Sequence, residues 1–146
     1  MDANDDSVHG WSAMTGAGTS DDLGDFVRLL RSERRRILID LLHDYQLECC
    51  DDIVTTQLRD LGRQVAAIEN DVDSVDVDRA SRRSAKNSLH QTHLPLLEEY
   101  GIVEYDGRSK EVTTTERTWA FAELIQTIEV GIETSNLDEI RPGDDE

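Results

Sequence analysis

Arg79, Arg82, Arg83, Lys86 and His90 recur at i, i+3, i+4, i+7 and i+11. At about 100° per residue this spacing sets them on one helical stripe, about a quarter turn from the apolar face. Guanidinium and ammonium groups in such a row bind phosphates, and Arg also reads guanine edges; Asn87, His90 and Gln91 add directional hydrogen bonds of the kind that read bases. The chemistry is recognition of a polyanion. The competing account is a solvated face whose cations balance the acidic stretch 70–78 beside it. Arg108 and Lys110, at the tip of an expected hairpin, suit phosphate or minor-groove contact.

Other constellations carry less. Arg34, Arg35 and Arg36 span nearly a full helical turn and cannot all face one partner, so pairing inside the chain outweighs contact with a nucleic-acid backbone. His90 and His93 lie one turn apart, and Cys49 and Cys50 are adjacent; together they make only a weak zinc-like set. His93 reads better as a hydrogen-bonded core histidine and the cysteines as small hydrophobes. Adjacent cysteines are poorly placed for an unstrained disulfide. There is no Gly-rich phosphate loop, no serine elbow and no carboxylate pair that stands out among 32 acids, so no enzyme, metal or cofactor is expected.

A net charge of −17 opposes binding to a polyanion, but the charge is unevenly spread. Residues 78–93 carry an excess of positive charge and 43–77 an excess of negative. Only Lys86 and Lys110 among the 15 basic residues are lysines, and Asp outnumbers Glu. An Asp-rich, Lys-poor surface suits molar salt, where screening shortens to about 3 Å, and points to the cytoplasm of an extreme halophile. No apolar run is long enough to span a bilayer, and the N-terminus lacks a secretory pattern.

Four helices and a hairpin must position these residues. Residues 1–24 read as a disordered acidic arm and 133–146 as a similar tail. Order is expected from about Asp25, with Phe26, Leu29 and Leu30 on one face. Ser32 then caps a helix whose stripe is Ile37, Leu38, Leu41 and Leu42. Ile53-Val54-Thr55 reads as a short strand, and Thr56 as the cap of a second main helix with Leu58, Leu61, Val65 and Ile68 inward and Arg59, Asp60, Arg63 and Gln64 outward. The third main helix starts near Asp78, with Ala85, Leu89, Thr92 and Leu96 inward and a kink at Thr92–Leu94 ahead of Pro95. Gly101 closes it in the left-handed conformation; Ile102, Val103 and Tyr105 pair through a turn at Asp106-Gly107 with Glu111 to Thr113. Thr114 or Thr115 caps a last helix over 116–132. Its stripe of Trp119, Phe121, Leu124, Ile125, Ile128 and Ile132 is expected to pair with a second copy of the chain.

The run QTHLPLLEEYGIVEYD, residues 91–106, resembles the helix-to-wing signature of winged-helix transcription regulators of the arsenical-repressor type. His93, Leu94, Leu97, Gly101, Ile102 and Val103 match it, and Gln91 stands where Ser is usual. The frame from SERRRILIDLL through QLRDLGRQVAAIEN looks like a family of small haloarchaeal winged-helix proteins with no assigned function. The resemblance covers about residues 25–115 and implies a winged helix-turn-helix, mainly α with a small β-hairpin, plus the additional C-terminal helix. The regulators' metal ligands are not recognisable here, so their metal response does not carry over. The expectation is a homodimeric regulator that binds double-stranded DNA. Its alternatives are a protein-interaction adaptor on the same fold and a thiol- or metal-responsive regulator.

Overall fold

The computed structural model describes residues 22–135. In chain order these form α1 (Asp22–Leu30), α2 (Glu33–Cys49), β1 (Thr55–Gln57), α3 (Leu58–Asn70), a 3-10 turn at Ser74–Asp76, α4 (Arg79–Ser88), a π-helical turn at Leu89–His93, α5 (Leu94–Glu99), β2 (Val103–Asp106), β3 (Glu111–Thr114) and α6 (Glu116–Ser135). The strands make one antiparallel sheet in the order β1-β3-β2, with Thr56 opposite Val112 and Tyr105 opposite Val112 on the other side. Helices α2, α3 and α4 with this sheet form a winged-helix arrangement, and α6 lies against α2. The acidic arm and tail fall outside the described residues except at their inner ends, 22–24 and 133–135, which are helical.

The core is one cluster to which each helix contributes, from Leu29, Leu38 and Leu42 through Leu61, Val65 and Leu89 to Leu94, Ile102 and Val112. Phe121 and Ile125 belong to it, at 0% and 2% exposure, and so are not free to form a dimer. A helical period shows that a face is apolar but not what covers it; here α1 and α2 do. Phe26 meets Phe121 edge-to-face at 5.1 Å between ring centres, and Trp119 packs in the same way on His43 at 4.6 Å. Of the expected dimer stripe, only Leu124, Ile128 and Ile132 stand exposed, joined by Val130.

Pro95 shapes the third helix. It has no N–H and crowds the carbonyl four residues back, and the chain answers with a π turn in which the Leu94 N–H reaches the Leu89 carbonyl. The expected kink is therefore a widening that adds one residue to the turn and shifts the inward positions. His93, Leu94 and Leu97 are buried, whereas Thr92 is exposed and Leu96 only half-buried.

Three further expectations shift. The first strand is Thr55–Gln57 and not Ile53–Thr55, because β3 offers it partners from Thr113 to Glu111; Gln57, not Thr56, occupies the cap position of α3, without a side-chain bond. Ile68 is half exposed, since Ala66 and Ala67 take the core-facing positions at this end of α3. The wing turn is a longer loop. Asp106 Oδ1 accepts from the N–H groups of Arg108 (2.9 Å) and Ser109 (3.3 Å), which holds its carboxyl below the usual range, and the left-handed residue is Lys110, not Gly107. Gly101 is left-handed as expected (φ 73°). A Cβ there would also come within 2.7 Å of the Arg117 guanidinium, which donates to the Tyr100 carbonyl. Thr115 caps α6, accepting from the Arg117 N–H (3.1 Å) while its hydroxyl donates to the Ile102 carbonyl (2.9 Å), so the wing and the last helix share one anchor.

Candidate nucleic-acid interface

Helix α4 begins at a well-made cap. Asp78 Oδ1 accepts from the Ser81 N–H at 2.7 Å, and that bond holds the exposed carboxylate below its ordinary range. The next three turns present Arg79, Arg83, Lys86 and Asn87 to solvent, with Arg82 half-buried and Ala85 at the core. Arg79, Arg82, Arg83 and Lys86 converge on one open groove. The opposite wall of the groove is α3, which adds Arg59 and Arg63.

Among the described residues, six cations and no acid line this groove. On the α3 wall Arg63 makes a long ion pair with Asp60, at 4.0 Å. Among the described residues none of Arg79, Arg82, Arg83 and Lys86 pairs with a carboxylate. Glycine makes the close approach of the walls possible. A Cβ on Gly62 would lie 3.1 Å from both Cα and Cβ of Lys86, so only a residue without a side chain lets the two helix axes come this near.

Arg59 and Arg63 are the site residues that sequence reasoning missed. Their i, i+4 spacing on the polar face of the helix preceding the stripe was the available signal. Nothing in the linear sequence says which flank of that helix meets α4.

The remaining expected site residues fall in two places. Gln91 is exposed on the π turn. His90 is half-buried and turned toward the wing: its Nδ1 lies 2.6 Å from the Tyr105 hydroxyl, with the rings edge-to-face. It ties the end of the third helix to β2 and does not present both ring nitrogens outward. Arg108 and Lys110 are exposed at the wing tip, where Lys110 Nζ donates to the Gly107 carbonyl (2.7 Å). The Leu58 N–H donates to the Lys110 carbonyl at 2.8 Å, so the wing tip returns beside the first turn of α3, next to Arg59.

The zinc-like set does not assemble. Arg35 Nε occupies His93 Nδ1 at 3.3 Å, and burial beside Arg35 and Arg34 pushes the His93 imidazole down to about 4. Both cysteines are free and exposed at the end of α2, and no cluster of three potential ligands exists among the described residues. Among the same residues no helix is long and apolar enough to cross a membrane.

The run Arg34–Arg36 is consumed within the fold. Arg34 makes a two-pronged pair with Glu69 (2.6 and 2.7 Å). Arg35 donates to the carbonyls of Arg28 (2.8 Å) and Leu29 (3.2 Å), and Arg36 to that of Leu30.

No curated protein and no solved structure matches the chain. A family described as a domain of unknown function, DUF7344, matches residues 27–113. The matched span runs from α1 into β3 and so takes in both walls of the groove and the wing tip. It covers more than half of the sequence, and the chain therefore belongs to the DUF7344 family.

Proposed function

We propose that this protein is a sequence-specific DNA-binding transcriptional regulator that works as a homodimer, with α4 as the recognition helix and the hairpin as the wing. One observation carries the reading: in a chain of net charge −17, four cations of α4 share one groove and none makes a salt bridge among the described residues. A structural role for these charges would leave them paired, as Arg34 is paired. Arg79, Arg82, Arg83 and Lys86 supply phosphate and guanine contacts, Asn87 and Gln91 base-edge hydrogen bonds, and Arg108 and Lys110 backbone contacts on the flank. The Asp-rich composition fits a halophile's cytoplasm. There counterion release contributes little, so base contacts and shape must carry the affinity.

The second copy would be held by Leu124, Ile128 and Ile132, which α6 leaves exposed. A two-fold dimer would then address half-sites about one helical turn apart.

The test is a titration of labelled duplex DNA at two salt concentrations. The Arg82→Glu/Arg83→Glu variant is expected to bind about 100-fold more weakly than the parent, with its thermal transition in place. Equal binding by the variant rejects α4 as the recognition helix. Absence of binding by the parent, with retained self-association, favours the protein-interaction adaptor.

A further inference from the structure

The groove between α3 and α4 has two edges of different chemistry. On its inner side Arg82 is half-buried, and its Nε is shielded from solvent with no acceptor among the described residues. A guanidinium N–H withdrawn from water without an acceptor is costly, and an anion in the groove that draws the Arg82 side chain outward would give it one. Arg59 and Arg63 face it from α3. On the outer edge Arg83 and Asn87 are exposed, about opposite Ala85 on the helix, so they form the ridge that points away from the core. The N-terminus of α4 is already capped by Asp78, so anion binding here depends on side chains and not on free backbone N–H groups.

We propose that this groove is a phosphate seat. Arg59, Arg63 and Arg82 hold successive phosphodiester groups of one nucleic-acid strand, while Arg83 and Asn87 on the outer ridge meet the base edges. Helix α3 is thereby part of the binding surface and fixes the register in which α4 enters the groove of the duplex. Naming the polymer rests on the DNA-binding function proposed for α4. The seat for phosphate oxygens rests on the six cations and the unmatched Arg82 Nε.

The experiment compares the full-length parent with Arg59→Gln/Arg63→Gln and with Asn87→Ala. It uses fluorescence anisotropy on a panel of labelled duplexes across a salt series, and calorimetry with inorganic tripolyphosphate. The arginine double variant is expected to lose about tenfold in affinity on every duplex. Its slope of log K against log salt should fall by about 2, at about 0.9 for each phosphate that is no longer neutralised. Asn87→Ala should reorder the duplexes and leave the slope unchanged. Circular dichroism and thermal melting show whether each variant is folded, and Arg59→Lys/Arg63→Lys, which keeps the charge, should restore most of the slope.

If the parent binds duplexes and the arginine variant matches it in affinity and slope, the seat is refuted and the DNA-binding reading stands. If the parent takes up tripolyphosphate in a manner that needs Arg59 and Arg63 but binds no duplex, the seat stands and the nucleic-acid reading falls. If it binds neither, both fall.

Discussion

Helices α2 and α4 start alike and end in opposite uses of the same side chain. Each opens on a short polar cap, Ser32 accepting from the Arg35 N–H at 3.2 Å and Asp78 from the Ser81 N–H at 2.7 Å, and each then carries three arginines within five residues of the cap. Over the first turn of α2 lies the C-terminal end of α1, whose last carbonyls have no partners within their own helix. Arg35 and Arg36 supply those partners, and Glu69 takes Arg34. Across from the first turns of α4 lies the flank of α3 that carries two more arginines. A cation's role is thus set by what the fold places opposite it. Carbonyl oxygens absorb positive charge, while a facing guanidinium leaves it available for an outside anion.

The largest expected effect lies on the α2 side and is a pH dependence. His93 is buried against Arg35 and takes up a proton only near pH 4, whereas the unfolded chain does so near 6.5. Between these values the unfolded state holds the extra proton. Stability attributable to this histidine is therefore full above about 6.5 and falls with pH to about 4, by about 3 kcal/mol in all. Asp40 acts in the other direction, because burial, with Glu129 and Asp44 beside it, raises its carboxyl. The informative quantity is thus the difference between parent and His93→Gln in urea midpoints across pH 4 to 6.5. A parallel pair of curves contradicts a neutral, buried His93.

Next in size is Arg35→Met. It removes the donor to two carbonyls and to His93 Nδ1 while keeping the side chain's apolar bulk, and the groups left behind should cost about 2 kcal/mol of stability. Duplex affinity of the folded variant should not change. Arg82→Met should do the reverse, with stability equal to the parent's or higher, because it removes the unmatched Nε, and with weaker binding. If Arg35→Met weakens duplex binding at a temperature where it is fully folded, the division between the two arginine sets fails.

Much of this arrangement could be read from the chain. The glycine at 101, the hairpin after it, the start of the third helix near Asp78 and the cationic stripe follow from local rules, since each depends on residues within about one turn of one another. Long-range facts could not be read. That Phe121 and Ile125 lie under Phe26 and α1, that Thr92 turns outward because the π turn adds a residue ahead of Pro95, and that Arg59 faces Arg82 all depend on which elements meet. A stripe's period is a property of one helix; its partner is a property of the packing. The cationic face of α4 was therefore legible, and the wall opposite it was not.

The smallest effect tests that wall without changing any charge. Gly62→Ala adds a methyl group on α3 that would gain about 1 kcal/mol in helix propensity at an open site. Here it would lie 3.1 Å from Cα and 3.3 Å from N of Lys86, and these backbone atoms cannot rotate away. Overpacking of this kind costs about 2 kcal/mol, so the net loss should be about 1 kcal/mol, seen as a lower urea midpoint. The two helices must also separate by a few tenths of an ångström. Every cation remains, so the salt slope of duplex binding should not change, while affinity falls a few-fold as the two walls lose their register. A changed slope would mean that the methyl group has displaced a phosphate outright, which the spacing of the helices alone does not predict. An unchanged affinity would mean that the distance between α3 and α4 is irrelevant to binding, and the shared seat would then be wrong even though its arginines face one another.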